Sequence, residues 1–125
     1  MRTAGQVSAA ASYGSIEFAE RVLGAKLIVV LGHTSCGAVA AAVNIPDVPG
    51  HIVHLINEIK PAAEKSKGKS GDWVKNALYE NVRLQVEKLK DLEPVLAKDV
   101  REGKITIIGA VYNLENGKVE FLDVK

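Results

Sequence analysis

A single cysteine in 125 residues excludes a disulfide within the chain and points to a reducing compartment, the cytoplasm. Surplus charge of one sign is also missing. A formal net charge of +1 gives no electrostatic basis for holding nucleic acid or an anionic membrane. No apolar run approaches the ~20 residues that a bilayer requires. The opening "MRTAGQVSAAASYG" has one arginine but lacks the apolar centre of a signal peptide. Aromatic residues make up only 5%, and there is no low-complexity tract, internal repeat or shift in composition. These absences lead us to expect one cytoplasmic, soluble domain over residues 1–125, with neither nucleic acid nor membrane as a partner.

What is present is enough apolar material for one core, 47% of the chain, in patterns that can be read locally. Residues 15–23 place Ile16, Ala19, Val22 and Leu23 on one helical face, with Ser15 as N-cap and Gly24 as the stop. "KLIVVL" follows, continuous enough for a strand covered on both faces. An alanine-rich helix is expected from Cys36 to Val43, ended by the loop "NIPDVPG". A helix beginning near His51 spaces Ile52, Leu55, Ile56 and Ile59 as i, i+3, i+4, i+7, and Pro61 should kink or break it. Asp72 caps a long helix whose stripe runs through Val74, Leu78, Val82, Val86 and Leu89. Pro94 opens a short helix ending at Gly103. Two strands close the chain, 105–111 and 118–122, joined by a hairpin turning at Asn116-Gly117. The pattern is α/β: residues 27–31 parallel to 105–111, with 118–122 antiparallel at the edge.

In open α/β sheets ligands gather at the carboxyl ends of the strands. "GHTSC" occupies that place after the first strand. Three chemistries suit His33 and Cys36. A thiolate and an imidazole are zinc ligands, although zinc wants three or four. A cysteine at a helix start beside a histidine can act as a nucleophile. Backbone N–H groups around Gly32, Thr34, Ser35 and Gly37 can take an anion. A lone cysteine can equally be a small core residue and a lone histidine a turn filler. His54 reads as surface, His51 as a residue that could approach the cleft, and Trp73 and Tyr79 as packing residues.

The wording of this stretch narrows the choice. "IVVLGHTSCGAV" resembles the second zinc motif of the β-class carbonic anhydrases. "RTAGQV" is similar to that family's Arg-Asn-Ala-Gly-Asn segment, with Thr3 and Gln6 in place of the asparagines. "GSIEFAERVLGAK", "NVRLQVEKLK", "PVLAK" and "GKITIIGAVYNLENGKVEFL" extend the resemblance along nearly the whole chain. The resemblance implies a trimmed form of the family's parallel sheet, with an antiparallel C-terminal edge strand and flanking helices. It implies zinc as cofactor, His33 and Cys36 as ligands, and reversible hydration of carbon dioxide to bicarbonate. A pseudoenzyme with an anion pocket, or a metal-free hydrolase using Cys36 and His33, is the alternative.

The family's first motif, Cys-x-Asp-Ser-Arg, has no counterpart among these residues, and Arg2 matches the later segment instead. The resemblance places that motif's strand beside residues 27–31, so we expect an open sheet edge. A homodimer or larger homo-oligomer is therefore expected. If two copies joined antiparallel along that edge, five residues at ~3.3 Å each would leave their motifs roughly 15 Å apart, too far to share an ion. Weak or absent zinc and low hydration activity follow as expectations.

Overall fold

The computed structural model describes residues 1–44 and 47–122. Ile45 and Pro46 of the expected proline loop lie outside the described residues. A 3₁₀ turn at Ala4–Gln6 precedes α1 (Ala10–Arg21), β1 (Leu27–His33), α2 (Gly37–Asn44), α3 (Ile52–Ser66), α4 (Trp73–Lys90), α5 (Leu96–Arg101), β2 (Thr106–Tyr112) and β3 (Val119–Leu122). The sheet order is β1-β2-β3, with β1 parallel to β2 and β3 antiparallel to it. That is the α/β arrangement the strand patterns predict.

Helix α4 organises the core. Asp72 accepts hydrogen bonds from the N–H groups of Val74 and Lys75, the cap expected of it. Leu78, Val82, Val86 and Leu89 are buried, each contributing about 1.5–3 kcal/mol by leaving water. The helix packs on one face of β1 and β2 and also meets α2, α3 and α5. Tyr79 Oη donates to Glu120 Oε2 at 2.7 Å and ties β3 to the same helix.

Close packing dictates two glycines. Gly5, at φ +64°, has its carbonyl held by Asn81 Nδ2 at 2.8 Å, and a β-carbon there would stand 2.5 Å from Ile59 Cδ1. A β-carbon on Gly32 would stand 2.6 Å from Val82 Cγ2. The 3₁₀ turn is thereby seated against β1, α2, α3 and α4.

Several local expectations are corrected. α1 starts at Ala10 rather than Ser15, because Ser12 Oγ accepts the Ala9 N–H at 3.2 Å, and Ser15 instead bonds back to the Ala11 carbonyl. The stripe expected on that helix is covered only in part: Ile16 packs against the core and Ala19 is half-buried, while Val22 and Leu23 are 63% and 72% exposed. Ile52 is also exposed, while Leu55, Ile56 and Ile59 pack inward. Pro61 leaves α3 intact to Ser66. Its ring lies on the solvent side, and buried Ile56, Ile59, Ala62 and Ala63 hold the helix on both sides of it. The hairpin is wider than a two-residue turn. Its loop is closed by Asn113 N–H to the Lys118 carbonyl and Gly117 N–H to the Asn113 carbonyl, both 2.8 Å.

The other expectation for the sheet was an open edge, and among the described residues no strand pairs with the outer side of β1. Thr106 N–H donates to the Lys26 carbonyl and Thr34 N–H to the Tyr112 carbonyl. Residues in a parallel ladder alternate the direction of their peptide groups. Leu27, Val29, Leu31 and His33 therefore direct their N–H and C=O groups away from β2. Their side chains share the sheet face opposite α4, where Leu27, Val29 and Leu31 are 55%, 39% and 48% exposed.

Candidate metal centre

The site is built from a strand end, a reversed turn and a helix start. β1 ends at His33, and Thr34 is then pinned twice by the β2–β3 hairpin. Its N–H donates to the Tyr112 carbonyl at 2.9 Å, and its Oγ1 accepts the Leu114 N–H at 3.0 Å. Ser35 adopts φ +56°, a left-handed conformation costing a non-glycine residue about 1–2 kcal/mol. That reversal carries the chain into α2. The Cys36 carbonyl accepts the Ala40 N–H at 3.0 Å, which makes Cys36 the N-cap of the helix.

His33 is partly buried, and its Nδ1 lies 2.8 Å from the Thr34 carbonyl oxygen. A carbonyl only accepts, so Nδ1 carries the proton of this bond, and in the neutral ring Nε2 keeps its lone pair. A backbone carbonyl on the far nitrogen is the usual support of a metal-binding histidine. Cys36 is 4% exposed and joins the core cluster around Val39 and Leu78.

A cleft of about 410 Å³ opens beside the turn. Thr34, Ser35 and Cys36 line it together with Asp72, Lys75 and Glu115. Two of the four groups expected around an anion have other engagements. Gly32 is inside the β1–β2 ladder under Val82, and the Thr34 N–H is committed to Tyr112. Ser35 borders the cleft, and Gly37 is exposed at the start of α2.

The donors were tested against zinc by kind and by number. A thiol and an imidazole are the right kinds. Among the described residues, however, no group of three histidine, cysteine, aspartate or glutamate side chains could hold a metal ion. His51 does not join His33 and Cys36. It is exposed at the start of α3 and stacks on His54, with ring centroids 6.0 Å apart. Trp73 and Tyr79 hold the scaffold, Trp73 through Nε1–H to the Ala63 carbonyl at 2.9 Å. The residues that shape the turn from outside, Tyr112 and Leu114, carry no local sequence signal, since they lie some 80 positions away.

Residues 1–119 match the family model described as carbonic anhydrase. The chain is 36% identical over 124 residues to a carbonic anhydrase of Mycolicibacterium smegmatis, covering 96% of this chain and 60% of that protein. It is 34% identical over 127 residues to carbonic anhydrase 2 of Mycobacterium tuberculosis, covering 98% and 61%. Among solved structures, the Coccomyxa β-carbonic anhydrase in complex with acetazolamide superposes with a TM-score of 0.84 at 26% identity, covering 98% of this chain and 59% of that one. The β-carbonic anhydrase CafA of Aspergillus fumigatus gives 0.81 at 27%, covering 98% and 62%. The chain thus spans about 60% of the length of the curated relatives it matches first. It belongs to the carbonic anhydrase family, in its β class.

Proposed function

We propose that this chain carries part of a β-carbonic anhydrase zinc centre, with His33 and Cys36 as ligands, and that the reaction it serves is the reversible hydration of carbon dioxide to bicarbonate. The observation that supports this reading is the Ser35 reversal, which sets His33 and Cys36 on either side of one turn at the carboxyl end of β1. The Thr34 carbonyl orients the imidazole, and the hairpin holds Thr34 itself. Thr34 and Ser35 line the cleft beside the site, Gly37 is exposed where α2 starts, and Gly32 sets how closely β1 lies on α4. Assembly with further copies of the chain, in the cytoplasm, belongs to the same proposal.

Two donors fall short of a tetrahedral set. For the chain by itself the outcome expected is zinc below stoichiometry and hydration far slower than in longer relatives. No hydrogen bond joins His33 to Cys36 among the described residues, and nothing specific favours the metal-free hydrolase. The test is metal analysis of the purified chain, before and after dialysis against a chelator, with stopped-flow carbon dioxide hydration. His33→Ala and Cys36→Ala should each remove whatever zinc and activity are present. Zinc retained by both variants would overturn the ligand assignment. Stoichiometric zinc that survives the chelator and is lost in either variant would overturn the expectation of weak binding.

A further inference from the structure

A cleft of about 490 Å³ opens where the end of α3 and the connector after it meet α4 and β3. Lys75, Tyr79 and Arg83 recur every four residues on the face of α4 that lines it, with Glu80 beside them. The connector adds Lys69 and Ser70, and β3 adds Glu120. None of these residues belongs to the ligand turn.

The charges around this cleft do not balance. Glu80 is 7% exposed, and a carboxylate so buried needs a partner. Lys65 supplies one at 2.6 Å. Lys69 and Arg83 stand 4.0 and 3.9 Å from the same carboxylate, too far for a hydrogen bond, so their donors are unspent. Among the described residues the Lys75 ammonium has no carboxylate partner and Ser70 Oγ no hydrogen bond. Four cations thus face two carboxylates, Glu80 and Glu120, a surplus of two where the whole chain carries +1. A concave surface with charge of one sign focuses its field and draws in ions of the other.

The kind of anion follows from the groups left over. One guanidinium and two ammonium groups suit a phosphoryl group, which takes both forked and single-point contacts. Its charge of about −1.5 to −2 near neutral pH matches the surplus, whereas a singly charged anion leaves part of it unpaired. The volume falls in the ~300–1,000 Å³ range of small-molecule sites, more than a bare oxyanion fills. Acceptors remain for the rest of a ligand. Asn76 uses its Nδ2 on the Ser70 carbonyl and keeps Oδ1, and Glu120 takes the Tyr79 hydroxyl on Oε2 and keeps Oε1. Both free oxygens accept from hydroxyl groups. We propose that this cleft binds a small hydroxylated phosphate monoester, held by Lys69, Lys75 and Arg83. The proposal does not depend on the metal.

Calorimetric titration of the 125-residue chain at low ionic strength tests this, with glycerol 3-phosphate, inorganic phosphate and bicarbonate as probes. The ester should bind saturably, inorganic phosphate more weakly, and bicarbonate about tenfold more weakly than the ester, the worth of one hydrogen bond to a charged group. Arg83→Gln and Lys69→Gln should each weaken the ester by about tenfold. Glu120→Gln, which removes a like charge, should tighten inorganic phosphate by about threefold. In spectra of the native chain, amide signals of Ser70, Asn76 and Arg83 should move with the ester while those of residues 33–37 stay fixed. That mapping decides the matter if a variant fails to fold. Absence of saturable binding, or affinity unchanged in both Arg83→Gln and Lys69→Gln, would overturn the site. Signals moving at residues 33–37 instead would place the anion at the ligand turn and overturn it as well. Equal affinity for inorganic phosphate and the ester would overturn the organic part of the ligand.

Discussion

Gly32 sits beneath Val82 with no room for a methyl group: a β-carbon at 32 would lie 2.6 Å from Val82 Cγ2. Val82 is fully buried and belongs to the helix that covers β1 and β2, so neither side can yield freely. Gly32→Ala should destabilise the chain by about 1–3 kcal/mol through overpacking. Adding Val82→Ala should recover roughly 1 kcal/mol of that loss, because the two positions share one space. Denaturant unfolding of both single variants and the double variant measures it. Additive costs would show that the contact does not couple them.

Thr34 and Ser35 pull the ligand turn in opposite energetic directions. Thr34→Val removes the oxygen that accepts the Leu114 N–H and should cost about 1 kcal/mol. Hydrogen exchange at Leu114 should speed up with it. Ser35→Gly relieves a left-handed serine and should stabilise by up to about 1 kcal/mol. Thermal unfolding of the two variants should shift in opposite senses.

Asp72 satisfies two orphan N–H groups at the start of α4. Asp72→Ala should lower stability by about 1 kcal/mol, and Asp72→Asn by much less, since an amide oxygen caps nearly as well. Equal losses would mean that the charge, not the acceptor, matters there.

Tyr79 supplies a pH test. Its hydrogen bond to Glu120, and then its partial burial, raise the phenol above its ordinary range. A group raised on folding contributes fully below its unfolded value, ~10 for tyrosine, and the contribution is lost as pH rises through the folded value. Tyr79→Phe should therefore be less stable than the native chain at neutral pH, and the gap should narrow above pH ~10. A gap independent of pH between 8 and 11 would count against the bond.

The sequence makes some of these relationships visible and hides others for physical reasons. The β1–β2 pair is legible because both strands are long apolar runs, and the Asp72 cap because it acts on its own neighbours. "GHTSC" is legible as a site because a strand must end there. The start of α1 is not, since the oxygen satisfying its first peptide belongs to Ser12 inside the helix rather than to a cap before it. The exposure of Val22, Leu23 and Ile52 also escapes, because periodicity shows that a face is apolar but not that anything covers it. The missing N–H of Pro61 suggests a break, whereas its solvent-side position lets the helix continue. The anchoring of Thr34 by Leu114 depends on a chain reversal 80 residues later, which no local pattern encodes.

The packing of Cys36 among core side chains gives the chain its own clock. A thiol 4% exposed cannot meet a bulky alkylating reagent unless the start of α2 opens, and it is the only thiol present. Where reclosing outpaces alkylation, labelling kinetics read the free energy of that opening directly. Ser35→Gly should slow labelling by stabilising the closed turn, and Thr34→Val should hasten it by freeing the hairpin. One residue thus reports, through its rate of capture by a reagent, how firmly the ligand turn is held shut.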